Sequence, residues 1–161
     1  MTHKKQIVLI IFISTFISFL FNELRLDESL EWVAKPLKKI DNIDDLKIIS
    51  SEPVIREIDL EFASQLHQNG TMFIDARDEE YLSDGFIPNA IADDNIDSLI
   101  EKVYSIVGLD NQFVVYCSDD DCGSSEELAY QLQNAGFNNI LVFKGGWKSW
   151  KDAGMGIEYH E

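Results

Sequence analysis

The sequence predicts an α/β domain with a mainly parallel central sheet flanked by helices, preceded by an N-terminal transmembrane or signal-anchor helix. Three observations predict it. Two continuous apolar runs of strand length, FVVY (113–116) and ILVF (140–143), read as strands buried on both faces. From about residue 54 onward, strand-like runs alternate with helix-period segments, the pattern of parallel strands joined by crossover helices. Residues 7–21, IVLIIFISTFISFLF, carry no charge and open the chain.

His3, Lys4 and Lys5 stand just before that run, and a basic start followed by an apolar stretch is the order of a secretory signal or a signal anchor. The run falls short of the roughly 20 residues of a comfortable span. Leu24 and Leu26 extend it, with Glu23 and Arg25 reaching to the interface. Downstream, FNELRLDES offers neither the small residues of a cleavage site nor a cysteine for lipid attachment, which favours a retained anchor over a removed signal. Lys4 and Lys5 should stay in the cytoplasm. The protein is then a single-pass membrane protein with its C-terminal domain outside, in the periplasm or at the cell surface, where conditions are oxidising.

Residues 1–24 are thus the anchor, 25–53 a tether and 54–161 the domain. In the tether, Leu26, Leu30, Val33 and Leu37 fall at helical spacing up to a break at Pro36, and Ser50, Ser51 and Pro53 mark its end. VIREI (54–58) is a short extended run. Asp59 caps a helix over LEFASQLHQ that ends at Asn69-Gly70. TMFIDA is the next strand, followed by a loop with Gly85 and Pro88 and a helix from Ile96 to Val107. The last long helix, at about 125–135, turns Leu128, Ala129, Leu132 and Ala135 to one face and stops at Gly136.

Composition narrows the function. The 161 residues suffice for one domain and an appendage. Lys and Arg total 13 against 29 Asp and Glu, a formal charge of −16, which repels nucleic acid. Two cysteines are too few for a disulfide-stapled miniature fold. His3, His67 and His160 show no ligand spacing, so neither a metal nor another cofactor is expected.

The informative segment is VVYCSDDDCGSSEELAYQLQNAG (114–136), in which a buried strand ends at Cys117 and a polar loop leads into a helix. Ligand sites in open α/β sheets lie at the carboxyl ends of strands. Ser124 and Glu127 have the spacing of a capping box, and the helix N-terminus with the loop amides would point toward Cys117, lowering its thiol pKa. A cysteine after a strand is as often a small buried hydrophobe.

Two further segments weigh on that choice. FIDARDEEYLSDGFIPNAI (73–91) and LVFKGGWKSWKDAGMGIE (141–158) flank the cysteine strand in order and spacing. Together the three resemble the rhodanese-like domain family across the domain. The resemblance implies a sulfurtransferase or sulfur carrier that forms a persulfide on Cys117. It makes Ser118, Asp119, Asp120, Asp121, Gly123, Ser124 and Ser125 the active-site loop, and Asp75 with Arg77 a mainly structural pair. Its partner would be a sulfane-sulfur donor or a persulfide.

Departures from the family pattern carry consequences. Phe86 replaces the turn histidine, Asn89 a glycine and Gly156 a proline. Ser125 matches the family serine, which makes this loop two residues longer than the common form, and Ser124 stands where the family has arginine. Asp119, Asp120 and Asp121 oppose a dianion such as thiosulfate, since each close charge pair is worth about 1 kcal/mol in water and more when partly buried. Poor thiosulfate turnover is expected.

Cys122, five positions from Cys117, is either a resolving or redox partner or half of a static disulfide closing the loop. Trp147 and Trp150 are expected to pack as core. Two other functions stay open: a cell-envelope thiol redox protein using Cys117 and Cys122, and a non-catalytic rhodanese-like module that binds a membrane protein partner.

Overall fold

The computed structural model describes residues 3–24, 37–39 and 54–159. Its first compact unit contains helix α1, His3–Leu24, 22 residues long. At 1.5 Å per residue such a helix is about 33 Å long, enough for a hydrocarbon core of about 30 Å. Over His3–Phe21 the mean hydropathy is 1.8 and nothing is buried, so α1 is a candidate span, as a signal sequence would also be. The Ser14 and Thr15 hydroxyls donate back to the Ile11 carbonyl at 3.0 and 2.9 Å, which satisfies them without water.

The second unit begins at Leu37. It contains strands β1 (Lys38–Lys39), β2 (Val54–Ile58), β3 (Met72–Asp75), β4 (Phe113–Tyr116) and β5 (Asn139–Phe143). Helices α2 (Leu60–Gln68), α3 (Ile96–Ile106), α4 (Ser124–Asn134) and α5 (Gly146–Asp152) alternate with them, and a 3₁₀ turn spans Glu79–Asp84. All strands are parallel, in the order β1-β2-β5-β4-β3.

The period of two along β4 divides the core. Phe113 and Val115 join Ile140, Val142, Leu99 and Leu132 under α3 and α4. Val114 and Tyr116 join Leu141, Phe143, Phe62 and Trp150 under α2 and α5. With helices on both faces, every β4 side chain is buried, which is why the sequence there is apolar without alternation. The Asp59 side chain accepts from the Phe62 amide at 3.0 Å and starts α2 as expected.

Two expectations change. Leu37 does not close a helical stripe; it precedes β1 and packs on the core beneath α3 and α4, because an edge strand there covers apolar surface that a free tether would leave wet. Leu26, Leu30, Val33, Ser50, Ser51 and Pro53 lie outside the described residues. On α4, Ala135 is exposed, and Ser125 takes an inner position with Ala129 and Leu132. Ala135 is the C-cap, beyond the last residue of the helix, and the chain turns away at Gly136, whose φ is +101°.

Candidate active site

The carboxyl ends of β3, β4 and β5 bring three sequence segments together. Beyond β3, Arg77 grips Asp75. Its Nε lies 2.9 Å from Oδ1 and an Nη 2.6 Å from Oδ2, and the same Nη donates to the Gly85 carbonyl at 2.9 Å. Both side chains are almost wholly buried. Burial opposes the guanidinium charge, but the hydrogen bonds and charge of Asp75 outweigh it and hold the pKa above its ordinary value. Tyr116 adds a hydroxyl that donates to Asp75 Oδ2 at 2.6 Å and accepts from the Ile87 amide at 3.2 Å. Burial, then the Asp75 charge, push its phenol far up, so it stays a neutral donor. Trp147 covers the Arg77 guanidinium at 5.0 Å from the ring centroid.

Cys117 directly follows β4 and is 3% exposed. Its backbone is pinned by α5. The Trp147 amide donates to the Cys117 carbonyl and the Lys148 amide to the Ser118 carbonyl, each at 2.8 Å. These carbonyls take up amides of the first turn of α5, which has no side-chain cap. The contact is close because residue 146 is glycine at φ +55°; a Cβ there would strike the Cys117 carbonyl oxygen.

Cys117 and Cys122 are joined by a disulfide across a Cα separation of 6.2 Å, within the usual range. Between them Asp119 organises a turn. Its carboxylate accepts from the Asp121 amide and its carbonyl from the Cys122 amide, each at 3.2 Å. Two loop amides expected to face Cys117 are therefore used within the loop. The capping box is corrected as well: the N-cap of α4 is Gly123, with no side-chain cap bond. Helical backbone at Gly123 moves Ser124 inside the helix, where its hydroxyl no longer stands ahead of the free amides. Glu126 and Glu127 remain in the first turn, where carboxylates suit the helix dipole.

The surroundings are acidic with two lysines set among them. Asp119, Asp120 and Asp121 rim a depression of about 470 Å³ with Leu60, Lys148 and Asp152. A separate hollow of about 170 Å³ has Asp78, Asp93, Asp94 and Glu127 in its wall. Asp93 stays ionised there, its pKa lowered to about 2 by hydrogen bonds from Lys102 first and then Ser98. Lys144 pairs with Glu126, and that bond holds its ammonium pKa above the ordinary value against partial burial, with the charges of Glu57 and Asp120 adding to it. No group of three or more His, Cys, Asp or Glu placed to hold a metal occurs among the described residues.

Comparison with known proteins turns this geometry into a family assignment. The family model of the rhodanese-like domain matches residues 60–153. The chain belongs to the rhodanese-like domain family. The rhodanese-like domain of an Anabaena protein, solved in solution, superposes with a TM-score of 0.53 at 26% identity, covering 63% of this chain and 77% of that one. The thiosulfate sulfurtransferase GlpE of Pseudomonas savastanoi pv. phaseolicola is 30% identical over 96 residues, 60% of this chain and 87% of that protein. A Synechococcus elongatus protein described provisionally as a thiosulfate sulfurtransferase is 32% identical over 75 residues. The chain spans only 22% of that longer protein.

Within this rhodanese-like frame, sequence reasoning passed over Tyr116, Gly146, Lys144 and Lys148. Tyr116 carried a signal, since a tyrosine closing a doubly buried strand needs a partner for its hydroxyl. The second glycine of Gly145-Gly146 carried another, the close approach of two backbones. The lysines carried none, because only the fold brings them beside the loop.

Proposed function

We propose that this protein is a membrane-anchored sulfurtransferase or sulfur carrier that holds a sulfane sulfur on Cys117. The observation that carries the reading is the place of Cys117: the carboxyl end of the interior strand β4, in a domain whose relatives include a thiosulfate sulfurtransferase. In the loading step the Cys117 thiolate attacks the outer sulfur of a persulfide R–S–S–H. The donor S–S bond breaks, Cys117 becomes Cys117–S–S–H, and R–S⁻ leaves.

The donor is neutral, cationic or protein-borne. Asp119, Asp120, Asp121 and Asp152 outnumber Lys148 around the depression beside the loop, which disfavours a dianion there. Intact mass on the reduced full chain in detergent tests this. As Cys122→Ser, which keeps what it gains, the chain gains one sulfur from cysteamine persulfide, whose ammonium offsets the persulfide charge, gains at least about tenfold less from thiosulfate, a difference of about 1.4 kcal/mol, and gains none when Cys117→Ser is added. Failure of every donor to load Cys117 would sink the reading.

The anchor reading has α1 crossing the membrane with Lys4 and Lys5 inside and the domain outside. A C-terminal alkaline phosphatase fusion is then active in cells; an inactive fusion with intact expression reverses the topology. The disulfide also favours a second reading, a thiol redox protein that exchanges two electrons through Cys117 and Cys122 without carrying sulfur. Persulfide treatment would then leave no added sulfur on Cys122→Ser.

A further inference from the structure

We propose that Cys122 discharges the sulfur that Cys117 carries, and that the disulfide joining them is the product of that step. This rests on the persulfide reading above and adds the fate of the sulfur. The Cys122 thiolate attacks the inner sulfur of Cys117–S–S–H. The Cys117–Cys122 bond forms, the bond to the outer sulfur breaks, and that sulfur leaves as hydrosulfide. The electrons balance within the molecule: the cysteine pair gives up two and the sulfane sulfur takes them. An external dithiol then reduces the disulfide and becomes a disulfide itself.

Three features favour this route over direct transfer to a small acceptor. The Cα atoms of the two cysteines are 6.2 Å apart, so the sulfurs meet without rearrangement of the loop ends. An intramolecular thiol held at that range acts at high effective concentration, whereas Cys117 is 3% exposed and offers little access to a bulky acceptor. Small anionic acceptors meet the carboxylates of Asp119, Asp120 and Asp121 first.

The reopening has a direction too. Cys122 lies in the half-buried turn, while Cys117 is enclosed by β4 and by the α5 amide that holds its carbonyl. An incoming thiolate attacks the Cys122 sulfur, and Cys117 leaves as the thiolate needed for the next loading. The turn is tied by bonds inside itself, so it can move away from Cys117 as a unit once the disulfide opens.

The test uses the full chain in detergent, reduced, freed of reductant without oxygen, and mixed with cysteamine persulfide. Wild type is expected to return to the disulfide mass and release one equivalent of hydrosulfide. Cys122→Ser is expected to keep one added sulfur and release at least about tenfold less hydrosulfide. Wild type that holds its added sulfur as long as Cys122→Ser does would overturn the proposal. So would a cysteamine-sized adduct on Cys122→Ser, since the hydrosulfide would then have left before Cys122 acted. If Cys122→Ser takes no sulfur at all, the persulfide reading itself falls and takes this step with it. For the reopening, glutathione added to the oxidised chain and quenched with an alkylating agent should map to Cys122, with the alkyl group on Cys117; the reverse map refutes the stated direction.

Discussion

Arg77→Met lowers the stability of the domain by about 3–5 kcal/mol, the cost of leaving one member of a buried ion pair behind. Asp75 would lose its three guanidinium hydrogen bonds at 2.6–3.1 Å while remaining buried, and the Gly85 carbonyl would lose its donor. The Tyr116 hydroxyl at 2.6 Å and the residue 77 backbone amide at 3.0 Å are neutral donors and cannot neutralise the carboxylate. The melting temperature of the full chain in detergent should fall by well over about 10 °C, given the shift per kcal/mol for a domain near 100 residues. Pairing the change with Asp75→Asn should recover part of the loss, because the orphaned charge is what costs most. A fall no larger than the roughly 1 kcal/mol of a surface ion pair would show that the network is dispensable.

Gly146→Ala should both destabilise the protein and disable Cys117. Residue 146 has φ +55°, and a Cβ there would run into the Cys117 carbonyl oxygen, with the Cys117 and Ser118 carbonyl carbons each 3.0 Å away. Neither neighbour is a flexible side-chain end, so the backbone at Cys117 must shift. Strain of that kind costs about 1–3 kcal/mol. Gly154→Ala is the matched control: its φ is +69°, but nothing lies within 4 Å of the added carbon. Its loss should be limited to the conformational cost of about 1–2 kcal/mol, and it should leave sulfur loading unchanged. Equal behaviour of the two variants, in melting temperature and in loading, would remove the claim that Gly146 seats Cys117.

The Gly146 prediction depends on a contact between residues far apart in the chain, whereas the Asp75–Arg77 pair is local and was legible in the sequence. The strands FVVY and ILVF, the Asp59 cap of α2 and the end of α4 near Gly136 were readable because each rests on a few neighbouring residues and a local period. Ser124 was misread for a related reason. A capping box is a local pattern, but a helix begins where its backbone turns, and here Gly123 is the cap and the helix begins at Ser124, one residue early. Leu37 fitted a helical stripe in sequence, yet pairing of Lys38 and Lys39 with Arg56 and Glu57 made the segment after it a strand.

By itself the sequence determined a parallel α/β domain with an apolar N-terminal helix, an acidic surface and a cysteine at a strand end, since composition and short-range periodicity are properties of the unfolded chain as much as of the folded one. Only the tertiary structure decided what surrounds that cysteine. It brought the Trp147 amide to the Cys117 carbonyl, the Tyr116 hydroxyl to Asp75, and Lys148 to the aspartate rim. Those partners come from separate strands and helices, and they meet because burying both faces of one sheet leaves the carboxyl ends of β3, β4 and β5 side by side.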